Sequence, residues 1–180
     1  MQVVATDAEG ENGRDGFEPV WSERESAGGL SRICSPETHP MTTDTLASPA
    51  ATIVPEDRRG LFLPTLFGLP LLIVAENAVY SLMDRLSPQD YGGGFWNFYE
   101  IDGQPLFLAP TSKPRFRIES DITEYCGEVS AEAAGIIATL FAFSHLSFRF
   151  ESDFLANGYE RLHRYLEGHP EASAIYSAID

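Results

Sequence analysis

Apolar residues in this chain fall into two periodicities that alternate from residue 71 onward. From Leu71 to Leu86, the positions Leu72, Ala75, Val79, Leu82, Met83 and Leu86 repeat every 3.6 residues, with Glu76, Asn77, Ser81, Asp84 and Arg85 opposite them. That spacing predicts an amphipathic helix, ended by Ser87-Pro88. Tyr91-Gly92-Gly93-Gly94 then gives a flexible approach to Phe95–Ile101, whose aromatics stand on both parities and predict a strand covered on both faces. Asp102-Gly103 supplies the positive-φ pair of a tight hairpin turn, and Pro105–Pro110 is the returning strand. Arg115–Glu119 alternates with period two, Phe116 and Ile118 inward, and a fourth strand is expected over Ile122–Gly127.

The period then returns to 3.6. Ser130 is placed to cap a long helix running to about Phe148, with Ala133, Ile136, Ile137, Leu140 and Phe141 facing inward. Ser152–Leu166 follows as a helix with Leu155, Tyr159, Leu162 and Leu166 on one side. Gly168 stops it, and Pro170 opens a last helix, Pro170–Ile179. The expected fold is α+β: a small antiparallel β-meander of about four strands packed with about four helices in a compact single domain.

Residues 1–45 show no lasting apolar period and hold nine acids against three arginines, a net of −6. Such a segment buries too little apolar surface to offset its ordering entropy and reads as a disordered acidic extension. Met41 stands near its end, so residues 1–40 read as a dispensable extension or an over-long start. Residues 46–180 carry 18 acids and nine bases, leaving −9 of the whole chain's −15. A field of that sign argues against nucleic acid as the partner, because phosphate binding needs Lys and Arg. The two longest uncharged runs, Gly60–Ala75 and Ala133–Phe148, fall short of a membrane span of roughly 20 residues. No basic-then-apolar leader is visible, and a cytoplasmic protein without membrane contact is expected. Two cysteines, Cys34 and Cys126, do not make a disulfide scaffold or a four-cysteine zinc site.

Catalytic chemistry finds few footholds. Glu160-x-x-His163, with Glu167 one turn on, has the spacing of a di-iron helix, but that site needs a second such motif and further carboxylates. A cryptic hydrolase built on Glu160, His163 and Glu167 is the enzyme reading to be tested; the alternative is a solvated helix face. The triple glycine precedes a strand rather than a helix and has no adjacent lysine, so it lacks a phosphate cradle. Cys126 sits between Glu124 and Glu128, which would raise a thiol's pKa. Phe95, Trp96, Phe98 and Tyr99 suggest base stacking, yet only Lys113, Arg115 and Arg117 lie near, beside Glu119 and Asp121. Stacking platforms come with a basic groove, so core packing fits better. No catalytic residue, metal or cofactor is assigned.

The string itself is more specific. It reads Ala51-Thr-Ile-Val-Pro-Glu-Asp-Arg-Arg59, then Val79-Tyr-Ser-Leu-Met-Asp-Arg-Leu-Ser87, then Tyr91-Gly-Gly-Gly-Phe-Trp-Asn-Phe-Tyr99. Phe107-Leu-Ala-Pro110, the alanine-rich Ser130–Ala142, Gly168-His-Pro-Glu-Ala172 and Ala174–Asp180 follow in order. In these blocks, from about Met41 to Asp180, the chain resembles the ArdB/KlcA antirestriction family. The resemblance implies a non-enzymatic protein of plasmids and other mobile elements. Such a protein relieves type I restriction of incoming DNA, leaves modification largely intact, and has a type I restriction-modification complex as its partner. A −9 domain would be drawn to that complex's basic DNA channel, with direct DNA binding weak or absent. An acidic module for another basic host protein is the alternative. Candidate contact residues are Asp180, Glu132, Asp153, Trp96 and Asn97. Asp180 is chosen because it adds a carboxylate at a helix C-terminus, where the macrodipole disfavours anions.

Deleting residues 1–40 is expected to leave the thermal midpoint nearly unchanged, which calorimetry of the full and shortened chains would check; a large drop would show that the extension packs on the domain.

Overall fold

The computed structural model describes residues 50–180; the acidic extension and its boundary near Met41 lie outside the described residues. Within them the α+β class holds, with five strands and five α-helices. β1 (Thr52–Ile53) pairs with β2 (Trp96–Ile101), which pairs antiparallel with β3 (Gln104–Pro110) from Trp96↔Pro110 to Ile101↔Gln104. Asp102 (φ 50°) and Gly103 (φ 76°) make the tight turn between β2 and β3, as their residue types require. β4 (Arg115–Glu119) and β5 (Cys126–Ser130) form a separate two-stranded sheet. The single meander expected from the sequence therefore divides after β3, where Pro110 ends the strand and Pro114 precedes the next with no N–H to donate.

The fourth strand starts later than its sequence suggested. Residues 121–125 form a turn with Glu124 at φ 59°, and Thr123 Oγ1 there donates to the Ala178 carbonyl at 3.1 Å. Ile122, expected in the strand, is consequently 54% exposed. Two elements not anticipated open the described residues: β1, and after it α1 (Arg59–Phe67), which buries Phe62, Leu66 and Phe67 despite Pro64 in its interior. Gly68 (φ 81°) ends α1, and the chain turns by 93° toward α2 (Leu72–Leu86). Arg58, just before α1, forms a paired ion pair with the buried Glu100 of β2, which fastens this segment to the sheet.

α3 (Ala131–Arg149) is central and buries eleven of its residues against β3, α2, α4 (Asp153–Tyr165) and α5 (Ala172–Ile179). Among the described residues α3 is long and apolar enough by itself to cross a membrane, as is the bent α1–α2 pair if taken as one span, but 61% of α3's apolar stretch is buried inside the fold. It lies across the backbone of β3: Leu108 N–H donates to Thr139 Oγ1 at 3.5 Å, and a Cβ on Gly135 would collide with the Leu108 carbonyl. Ser130 caps α3 as expected, its Oγ accepting from Ala133 N at 3.1 Å. The reciprocal half of the cap comes from far along the chain, where the Glu171 carboxylate accepts from Ser130 N at 3.0 Å. Ser152 caps α4 through Leu155 N at 3.4 Å. α5 begins two residues later than Pro170 suggested, because His169 Nδ1 accepts from Glu171 N at 3.1 Å and holds residues 169–171 in a turn.

Trp96 is 7% exposed, donates Nε1–H to Tyr91 Oη at 3.1 Å, and packs on Tyr80 at 5.1 Å between ring centroids. Trp96→Ala should therefore destabilise by about 3–5 kcal/mol, as truncation of a large buried aromatic does. Urea unfolding of both proteins would measure it, and a loss under about 1 kcal/mol would show that the indole contributes little to the core.

Candidate functional site

Among the described residues, α4, the turn after it and the end of α5 carry several exposed carboxylates that enter no ion pair. α4 buries Leu155, Gly158 and Leu162 and turns Glu160 and Arg164 outward; Glu167 follows in the 3-10 turn Leu166–Gly168. Tyr159, Glu160, His163 and Arg164 of α4 and Glu167 of the turn line a shallow open depression of about 310 Å³; α5 lies beside α4. The His163 ring is sandwiched between Tyr159 at 5.8 Å and Tyr176 at 5.2 Å. Asp180, exposed at the end of α5, is close enough to act on both phenols. Burial chiefly, then the Asp180 charge, pushes the Tyr159 pKa up; burial, Glu167 and Asp180 do the same for Tyr176. The sequence singled out Asp180 and the Glu160–His163–Glu167 set for separate reasons, and the fold places them on one face.

No group of three or more His, Cys, Asp or Glu is arranged to hold a metal among the described residues. Among the described residues, His163 packs on two phenol rings and makes no ion pair with a carboxylate that would orient it as a base, and no serine or cysteine lines the depression. Cys126 opens β5 half-buried and offers no free thiol.

The remaining candidates scatter. Glu132, in the first turn of α3, is half-buried, accepts from Tyr165 Oη at 3.3 Å and lies 3.6 Å from His169 Nε2. Its first turn position also suits the positive end of the helix dipole, so its role is explained by α3 itself. Asp153 is exposed in the first turn of α4, at the opposite end of that helix from Glu167. Trp96 is buried, 7% exposed, with its indole packed in the core. Asn97 is half-buried on β2 opposite Ala109.

Sequence reasoning missed what brings these groups together. Tyr176 and Tyr159 carry no local signal of a shared surface, since they sit on different helices. It also placed Phe95 inside a doubly covered strand, whereas β2 begins at Trp96 and Phe95 is 88% exposed. Positive charge is largely consumed within the fold. Arg58, Arg85, Lys113, Arg115 and Arg117 pair with Glu100, Asp121, Asp90, Glu128 and Glu119 respectively. Asp153, Glu160, Glu167 and Asp180 enter no ion pair among the described residues, so the outward field is set by acids.

Comparison with known proteins gives a consistent set of relatives. A family model described as Antirestriction protein matches residues 89–180. An antirestriction protein KlcA of Escherichia coli is 42% identical over 134 residues, covering 72% of this chain and 94% of that protein. A second Escherichia coli KlcA is 42% identical over 147 residues, 78% of this chain and all of that one. A solved structure from work on the KlcA and ArdB proteins aligns with a TM-score of 0.67 and 41% identity, over 77% of this chain and 100% of that chain. Those proteins are described as having a novel fold and antirestriction activity against type I DNA restriction systems in vivo but not in vitro.

Asp180→Asn should raise the melting temperature slightly, because it removes an anion from the C-terminus of α5 worth roughly 0.3–1 kcal/mol before solvent screening. The gain should shrink as salt is added, since the group is exposed; thermal melts at two ionic strengths would check both signs.

Proposed function

The chain belongs to the antirestriction family of the KlcA and ArdB proteins, and from that premise we propose that it relieves type I restriction of incoming unmodified DNA while leaving modification largely intact. It does so by binding or stalling the restriction complex, making and breaking no covalent bond. The observation that carries this reading is 42% identity extending over essentially the whole length of two antirestriction relatives.

The physics of the surface supports the mode of action. Residues 50–180 hold nine bases and 18 acids, a net of 9 − 18 = −9, and five of the nine bases are neutralised in ion pairs. DNA would be repelled by such a body; the basic channel of a DNA-translocating enzyme would attract it at moderate salt. The α4–α5 face, with Glu160, Glu167 and Asp180, and Asp153 at the far end of α4, supplies charges free to meet that channel. Occupation of a cytoplasmic machine by an acidic body needs neither cofactor nor metal.

Expression of the full chain in a type I restricting host should raise the plating of unmodified phage, with modification measured in the same cells unchanged. Unaltered plating at verified soluble expression would refute the proposal for that system. His163→Ala should protect as well as the unaltered chain; a folded variant that no longer protects would instead favour hydrolysis by Glu160, His163 and Glu167.

A further inference from the structure

Phe95 is the most exposed large apolar side chain among the described residues, at 88%. It is nevertheless held on a fixed backbone. Its carbonyl accepts from both Thr111 N at 3.0 Å and Thr111 Oγ1 at 2.8 Å. The next residue, Trp96, is locked in the core and bonded to Tyr91 Oη, across the glycines. The other end of the loop is equally fixed. Tyr91 N–H donates to the Ser87 carbonyl at 2.8 Å, and Asp90 accepts from Lys113 Nζ at 2.7 Å and Arg117 N at 2.9 Å. Those two donors hold the Asp90 carboxyl below the usual carboxylate range.

Between these anchored ends lie only Gly92, Gly93 (φ 84°) and Gly94 (φ 128°). A Cβ at Gly92 or Gly93 would meet nothing within 4 Å, and one at Gly94 would meet only Ser112 at 3.7 Å, so little covers these peptides. An aromatic ring that stands in water on an anchored backbone, beside a side-chain-free stretch, has no role in packing its own fold. It has the properties of an interface anchor: the backbone that carries it is already ordered, and a partner's backbone can approach the glycines closely.

The second exposed apolar corner is less free. Phe150 lies under the Arg149 guanidinium at 5.6 Å. Phe154 packs over Gly68, where a Cβ would stand 3.8 Å from its ring. Both rings are thus already engaged by their own chain.

We propose that Phe95 is the anchor by which the protein seats on its target, its ring filling an apolar pocket on a basic protein surface while the Gly92–Gly94 peptides lie against the target's backbone. This rests on the antirestriction reading, which names that target as the type I restriction complex. The occupant is a protein because of charge. A second copy brings the same −15, and single-stranded nucleic acid needs a basic groove, whereas the neighbouring Lys113 is committed to Asp90. A basic protein face is complementary to the chain's field.

The test uses the full chain in the restricting host. Phe95→Ala should melt as the unaltered chain does, because the ring is in solvent, yet protect against restriction about tenfold less or worse, as loss of a central aromatic anchor does. Phe95→Tyr should keep most of the protection. A photo-reactive phenylalanine at 95 should cross-link to a restriction subunit, and the same probe at the comparably exposed Phe148 should not. Full protection by Phe95→Ala overturns the anchor alone, as does a cross-link to DNA or to a second copy. If the unaltered chain fails to protect, the antirestriction reading falls and the target named here falls with it.

Discussion

The structure depends on one close approach, the seating of α3 on the backbone of β3. Leu108 turns its N–H and carbonyl toward the helix; Thr139 meets the first and the missing side chain of Gly135 makes room for the second. Thr139 Oγ1 also donates to the Gly135 carbonyl at 2.7 Å, so one hydroxyl serves helix and strand together. An edge strand left open would be a template for pairing with another chain, and the helix removes that edge. With α3 fixed in this way, its remaining faces receive α2, α4 and α5, and its N-terminus is where the C-terminal segment must return. Glu171 completes the Ser130 cap and His169 approaches Glu132, so the position of α5, and of the acidic face it shares with α4, follows from the helix it caps.

The parts of this arrangement that were legible in the sequence are those written in local spacing. Leu72 to Leu86, Asp102-Gly103, Arg115 to Glu119 and the Ser130 cap each declare themselves within a few residues, and the structure places each within a residue or so of its expected bounds. What escaped was written at a distance. Nothing near Pro110 says whether β4 will join the first sheet, since that is decided by α3 and the prolines acting together. α1 was hidden because Pro64 argues against a helix, and only burial of Phe62, Leu66 and Phe67 overrides that cost. The cap donated by Glu171 lies 41 residues from Ser130 and has no sequence pattern at all.

The candidate site was legible by composition and illegible by geometry. An excess of acids predicts an acidic surface, but it does not say that arginines such as Arg115 and Arg117 will be absorbed by Glu128 and Glu119 while Asp180 and Glu167 are left outward. Trp96 and Phe95 show the same gap more sharply. They are adjacent aromatics in one block, and alternation alone gives no reason to separate them; the glycines before Phe95 and the two bonds from Thr111 send one ring into the core and the other into water.

If both proposed surfaces meet the target, they would divide the work of recognition along physical lines. Exposed carboxylates hold little energy individually, with surface pairs worth about 0–1 kcal/mol and screened beyond about 8–10 Å at physiological salt. Their summed field raises the rate of encounter with a basic partner and discourages DNA, without fixing a bound pose. A pose needs apolar contact that excludes water, and a single aromatic seated in a pocket contributes more than several rim charges. On the proposed reading, the acidic face of α4 and α5 would set how fast and how selectively the target is met, and the Phe95 loop would set how long the complex lasts. Added salt would slow association while leaving dissociation nearly unchanged, whereas loss of the ring would act on dissociation at any salt.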